Sequence, residues 1–281
     1  MPNIIPGIDR DALRELLREA VEKQEMLRAD PSWSMELIDR ALPVLWFGNS
    51  RSGRPKIVTL AANPSRWEYL QKPLDPRRLR EDPKNRLYVL REGIGEKPVT
   101  TEELDRAMDH FDGYFEKKPY KTWFGDKNGG KVEALVAGLN GSFYGVSAKR
   151  SGIHIDMFPF ATVSDFGAIS SIAAQDLFAD RWAHRLMDRL LMLLQPEVVL
   201  VTGGTNLYHV RTYFPDLAVW QAPMKSPTFD KYSTMVTLGR LCNHDTPVIA
   251  ISENLGNTNW NGPSIRLLGE WISQQIQLEE L

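Results

Sequence analysis

A single cysteine, Cys242, in 281 residues excludes an internal disulfide and any iron–sulfur or zinc site built from cysteines alone. The five histidines are scattered, with no spacing that suits a metal, so neither a metal nor another cofactor is expected. No apolar run approaches the roughly 18 residues of a membrane span. The N-terminal MPNIIPGIDRDALRELL turns charged too early for a secretory signal. A reducing cytoplasm, without a membrane partner, is the expected setting. Charge of one sign is also lacking: the net charge of −2 withholds the basic excess that nucleic-acid binders usually show. Local basic clusters exist at Arg77, Arg78 and Arg80, at Lys117, Lys118 and Lys121, and at Lys149 and Arg150, with solvated surface charge as the competing reading of each. There are no repeats and no low-complexity segments.

What is present is an ordinary globular composition, 42% apolar and 25% charged, long enough for one sizeable core or for a core with a long insertion. Residues 9–28 predict an amphipathic helix, capped by Asp9, with Leu13, Leu16, Leu17, Ala20 and Val21 on one face. A second helix is expected over Met35–Leu42, stopped by Pro43. The β-branched run from Lys56 ends abruptly at Asn63-Pro64-Ser65, as a buried strand ending in a turn does. Residues 66–142 are charged and mixed, with proline-rich loops near 73–83 and a helix expected at Thr101–Phe115. Their apolar content is too thin for a second core, so they read as an insertion in one domain spanning 1–281, behind N-terminal helices within 9–50. Further strands are expected at Gly152–Phe158, Pro196–Gly204 and Thr246–Ser252, with helices at Ala179–Leu194 and Pro263–Gln277.

Strands separated by helices imply an α/β fold with a parallel sheet of four strands and helices on both faces. Ligand sites in such sheets lie beyond the C-terminal strand ends. Every polar signature falls there: Asn63-Pro64-Ser65, Asp156, Gly203-Gly204 and the loop Glu253–Gly262. Proline holds Asn63 in place after the strand, where its neutral amide can position a water or hold a carbonyl; a plain strand-to-loop turn is the other reading. Asp156 reads either as a chemical carboxylate or as the cap of a neighbouring loop.

Together these segments resemble the uracil-DNA glycosylase superfamily. KIVTLAANPSRWEYL resembles its first motif, a strand followed by a Gly-x-Asn-Pro-Gly or Gln-Asp-Pro-Tyr type loop. GIHIDMFPFAT resembles its second strand, PEVVLVTGGTN its third, and ISENLGNTNWNGPS stands where the family has a closing loop that enters the minor groove. The resemblance spans about residues 55–275. Ala61 stands where the first motif often has Gly, and the closing loop has no His.

The resemblance implies a three-layer α/β/α domain around a central four-stranded parallel sheet, acting as a monomer on double-stranded DNA. It implies that Asn63 positions the attacking water and that Asp156 stands where the family reads the base. Cleavage of a nucleoside passes through an oxocarbenium-like sugar, so an oriented water and support for the leaving base suffice. With no Lys in the matched loops, a monofunctional enzyme that leaves an abasic site is expected.

A carboxylate at 156 accepts but does not donate, which suits the amine of cytosine and repels the O4 of uracil. Ser65, where uracil-specific members place Tyr, leaves room for a C5 substituent. Some superfamily members act in phage defence on glucosylated hydroxymethylcytosine, and that substrate in phage DNA is the expectation. Uracil or mismatched-thymine repair, or a non-catalytic reader of modified DNA, are the alternatives. Phe143 or Tyr144 is expected to stack on the flipped base, with Trp123 and Phe124 as alternatives and core packing as the competing reading. His154, two residues from Asp156, shares its strand face and is read as base-binding or as a satisfied structural histidine; Asn254 is placed with the base. Trp260 is expected as a wedge in the duplex or as packing on the last helix, with Asn257, Asn259 and Gly203 along the DNA backbone.

Overall fold

The computed structural model describes residues 8–54, 56–70, 98–117, 121–145 and 147–277. In chain order its helices and strands are α1 (Arg10–Arg28), α2 (Pro31–Ser34), β1 (Lys56–Ala61), α3 (Thr101–Asp112), α4 (Lys121–Phe124), α5 (Lys131–Gly138), β2 (Gly141–Ser142), β3 (Arg150–Asp156), α6 (Phe166–Ala173), α7 (Trp182–Leu194), β4 (Pro196–Thr202), α8 (Gly204–Tyr213), β5 (Ala218–Trp220), β6 (Met224–Lys225), β7 (Met235–Leu241), β8 (Pro247–Ile251) and α9 (Gly262–Gln275). The Arg77–Arg80 cluster, Lys118 and the proline loops near 73–83 lie outside the described residues.

Local chemistry accounts for most element ends. Asp9 accepts the Ala12 N–H and starts α1, whose Leu13, Leu16, Leu17, Ala20 and Val21 are buried. Thr100 and Glu103 form a reciprocal capping box on α3, and Asn261 caps α9. The helix expected over Met35–Leu42 does not form. A shorter α2 starts at Pro31 behind its Asp30 cap, and the following backbone bonds to the loop after β3 through Ile38 N–H to Ala161 O, Val163 N–H to Glu36 O and Val44 N–H to Pro159 O. Tertiary hydrogen bonds there outweigh helical spacing.

The four strands read from the sequence form the parallel centre of the sheet, in the order β3-β1-β4-β8. Their near-continuous burial matches a sheet covered on both faces. The four-strand expectation is nonetheless too small: among the described residues the sheet has eight strands. Short β2 adds to β3 in parallel, while β7 runs antiparallel to β8 and itself carries β5 and β6. The described part of the 66–142 insertion does not stand apart; Leu104, Met108, Phe111, Phe124, Leu135 and Val136 join the same hydrophobic cluster as the sheet. No helix among the described residues is long and apolar enough to cross a membrane.

Among the charged groups buried away from the strand tips are Arg150 and Glu133. Arg150, expected in a surface cluster, is buried at the start of β3, with Nη2 donating to Glu197 Oε1 at 2.9 Å. Glu133, near the start of α5, accepts from the Ser142 hydroxyl at 2.6 Å and the Phe143 N–H at 2.9 Å. Burial pushes its pKa from 4.5 up to about 7, against the pull of those two hydrogen bonds. A carboxyl that folds with a raised pKa stabilises fully below its unfolded value, and that stability is lost as pH rises through the folded value. Glu133 therefore weakens the fold progressively between pH 4.5 and about 7. Melting temperatures of the wild type and Glu133→Gln should diverge in the variant's favour across that window; parallel curves would remove Glu133 as the cause.

Candidate functional site

In the β1–β3 ladder Ala61 pairs with Asp156, so the two strands leave the sheet at the same level. The pairing continues past them, Met157 N–H donating to Ala61 O and Phe158 N–H to Ala62 O, both at 2.9 Å. The loops that follow consequently run side by side. Asn63 Nδ2 donates to Thr162 Oγ1 at 3.1 Å, and that hydroxyl donates to Ser164 O at 2.7 Å. With its nitrogen anchored, the Asn63 amide presents its oxygen as an acceptor. Ser65 Oγ accepts the Trp67 N–H and caps a single 3-10 turn, Arg66–Glu68.

These loops bound a cavity of about 130 Å³. Its polar wall is Asn63, Ser65, Glu68, His154 and Asp156, and its aromatic wall is Phe47, Tyr114, Trp123 and Phe124, with Ala61 and Pro64 between. An apolar cavity of about 150 Å³ holds one benzene, so this space is of single-ring size. His154 and Asp156 are both buried, with Nε2 and Oδ1 3.2 Å apart, while His154 Nδ1 lies 2.8 Å from Thr59 Oγ1. The imidazole is thus held between the Thr59 hydroxyl and the Asp156 carboxylate, which fixes its orientation. Trp123 and Phe124 pack on the His154 ring at 4.8 and 5.0 Å.

A second cavity, of about 260 Å³, shares the Asn63-Pro64-Ser65 wall and is completed by Arg66, Trp67, Thr162, Ser164 and Asp165. Its lining is mostly polar, Pro64 and Trp67 excepted, and its charges oppose one another, Arg66 Nη2 donating to Asp165 Oδ2 at 2.9 Å.

Three wall residues escape sequence reasoning. Glu68, 2% exposed, accepts from the Tyr114 hydroxyl at 3.0 Å. Its one sequence signal is its place a turn beyond Asn63. Tyr114 comes from the insertion. Phe47 arrives from the N-terminal segment and pairs with β3 at His154, through Phe47 N–H to His154 O at 2.7 Å and His154 N–H to Phe47 O at 2.9 Å.

Of the residues singled out from the sequence, Asn63, Ser65, His154 and Asp156 meet at this cavity, as do Trp123 and Phe124. Phe143 and Tyr144 do not line it. Phe143 is buried in the core, stacked on Phe115 at 4.6 Å, and the Tyr144 hydroxyl donates to Gly125 O at 2.8 Å. Asn254, Asn257 and Asn259 are exposed on the closing loop and also do not line it. Asn254 Oδ1 accepts the Gly256 N–H at 3.1 Å and packs on Gly203, whose φ of +96° suits glycine. Trp260 is half-buried and stacks on Tyr232 with ring centroids 5.1 Å apart. The closing loop reaches the cavity through Gly256: a Cβ there would lie 2.1 Å from Trp123 Cδ1. Among the described residues no group of three His, Cys, Asp or Glu side chains is placed to hold a metal.

No family model matches the chain, and no curated protein sequence does.

The contact at Gly256 has a measurable price. Gly256→Ala should cost about 1–3 kcal/mol of stability in urea unfolding by overpacking against Trp123. In a Trp123→Ala background the same change should cost less than half as much. Equal costs in the two backgrounds would disconnect the closing loop from the cavity wall.

Proposed function

We propose that this protein is a monofunctional DNA glycosylase, a member of the uracil-DNA glycosylase superfamily with its three-layer α/β/α arrangement. It flips out and excises a C5-modified cytosine, such as the glucosylated hydroxymethylcytosine of phage DNA, and leaves an abasic site. The observation that carries the reading is that Asn63 and Asp156, from adjacent parallel strand tips, line one cavity of single-ring size.

The chemistry follows from that wall. A base extruded from the duplex enters between the aromatic side chains, which replace its lost stacking. The Asn63 amide oxygen, oriented by its bond to Thr162, holds a water toward the sugar C1′. As the bond from C1′ to the base lengthens, positive charge develops on the sugar, and the water closes on it. Asp156, and Glu68 beside it on the wall, are acceptors for an exocyclic amine; either carboxylate in its ionised form repels a carbonyl oxygen in the same place, which favours cytosine over uracil. The polar second cavity begins at the same Asn63-Pro64-Ser65 wall and offers space for a substituent carried on the base. Among the described residues no lysine lines either cavity, so none of them offers an amine to form a covalent adduct with the sugar and cut the strand.

Abasic sites counted after incubation with phage DNA bearing glucosylated hydroxymethylcytosine, and with uracil-containing DNA, test the reading. Release from the former is expected; abasic sites in the uracil DNA alone would return the protein to uracil repair. Asn63→Ala should slow release by about 100-fold or more while DNA binding changes only a few-fold, because misplacing an attacking group costs rate rather than affinity. Borohydride should trap no protein–DNA adduct. Asp156→Asn should shift preference toward uracil.

A further inference from the structure

Two polar side chains stand in stretches of strand that are otherwise apolar. Thr59 lies in β1 between Val58 and Leu60, and His154 lies in β3 between Ile153 and Ile155; all of them are buried. A valine would fill the place of Thr59 with the same branched shape, whereas a buried hydroxyl has to find a partner. The parallel register supplies one. Thr59 pairs with His154, so the two side chains stand next to each other on one face of the sheet, and Thr59 Oγ1 lies 2.8 Å from His154 Nδ1. The other contact of that hydroxyl, to Ile153 O, is longer at 3.4 Å. Across the ring, Nε2 lies 3.2 Å from Asp156 Oδ1. His154 and Asp156 line the cavity; Thr59 is fully buried behind them and does not.

The direction of this chain of hydrogen bonds decides what Asp156 can read. An ionised carboxylate only accepts, so the imidazole nitrogen facing it has to carry a proton. A neutral imidazole has one such proton, which leaves Nδ1 to accept from Thr59 over the shorter of that hydroxyl's two contacts. A hydrogen bond to the charged form of a carboxyl favours that form, and burial without one favours the protonated form. A protonated carboxyl donates, and so tolerates the O4 of uracil; an ionised one accepts, and so selects an amine.

We infer that Thr59 and His154 are positioning residues that set the base preference: the Thr59 hydroxyl donates to His154 Nδ1, Nε2–H donates to Asp156 Oδ1, and the second oxygen of Asp156 is left to accept from an exocyclic amine. This rests on the glycosylase reading and names the groups through which its site chooses an amine over a carbonyl. Because His154 lines the cavity, a change there can also act by touching the base. Thr59 has no such route, which makes it the diagnostic position.

Two measurements test this. In the first, single-turnover release is compared between duplexes carrying hydroxymethylcytosine and duplexes carrying uracil, and the ratio of the two rates is read. Thr59→Val, which removes the hydroxyl at constant shape, should lower the preference for the cytosine by about tenfold, the order expected when a buried hydrogen bond is left unmade. Thr59→Ser should restore it. His154→Phe, which keeps a ring against Phe47, Trp123 and Phe124, should move the preference toward uracil, and Thr59→Val should change nothing further in that background. An unchanged ratio in Thr59→Val, an equal loss of both rates, a serine variant no better than the valine one, or a wild type that prefers uracil overturns the inference, and base release in each case keeps the glycosylase reading. The second measurement needs no activity. In protein made with isotopically labelled histidine rings, nitrogen NMR signals of His154, identified by their absence from His154→Phe, should show a single proton, on Nε2, and Nδ1 should respond to Thr59→Val more than to Thr59→Ser. A proton on Nδ1, alone or together with one on Nε2, overturns the inference. The expected proton position in a protein that releases no base from any DNA overturns the glycosylase reading and leaves the chain of hydrogen bonds standing.

Discussion

In a parallel sheet, two neighbouring strands that end at the same level deliver their next residues to one crevice, and nothing on either strand alone decides which residues meet there. Here that level is set where Ala61 pairs with Asp156. At that level Asp156 lines the cavity together with His154, which lies two residues back on the same side of the strand. Two steps beyond Ala61, the proline turn holds Asn63 beside the loop that supplies its anchor, Thr162. A slip of one residue in this register would turn Asp156 and His154 to the opposite face of the sheet and leave the cavity without its polar wall. The polar wall of the cavity depends on that pairing.

Burying two carboxylates is costly unless something compensates. For Asp156 the compensation is His154, itself held by Thr59. For Glu68 it includes the Tyr114 hydroxyl, brought by a segment more than forty residues away in sequence. A protein that needed only a stable core at these positions would be better served by apolar side chains. Their retention beside an aromatic wall, on the strand-end side of the sheet where α/β ligand sites form, is the physical ground for treating the cavity as a site.

Much of the frame was legible from local pattern. The helix from Arg10 announces itself through its cap and leucine spacing, and the central strands through β-branched runs ending at polar turns. The antiparallel side of the sheet was not: β7 carries Gly239, and β5 and β6 are too short to show alternation. Asn63 and Asp156 were legible because each directly follows or ends a strand. Phe47, Tyr114 and Glu68 were not, because their places depend on long-range packing. Phe47 reaches the site through an isolated bridge to β3, and Tyr114 through the fold of the insertion. Phe143 follows the same rule: of its two readings, stacking on a base and core packing, long-range contact with Phe115 selects the second.

The contact between Gly256 and Trp123 joins two parts of the molecule that sequence reasoning kept separate. The closing loop is polar and exposed at Asn254, Asn257 and Asn259, whereas Trp123 belongs to the cavity wall and packs on His154. Because glycine leaves no side chain between them, the loop backbone itself seats the tryptophan. Any duplex that pressed on the loop would press on this wall, and through the Trp123 and His154 rings on the partner of Asp156. In the proposed enzyme, the surface that meets DNA and the wall that holds the extruded base would then be mechanically one piece. The wall therefore rests directly on the backbone of the loop, with no side chain between them.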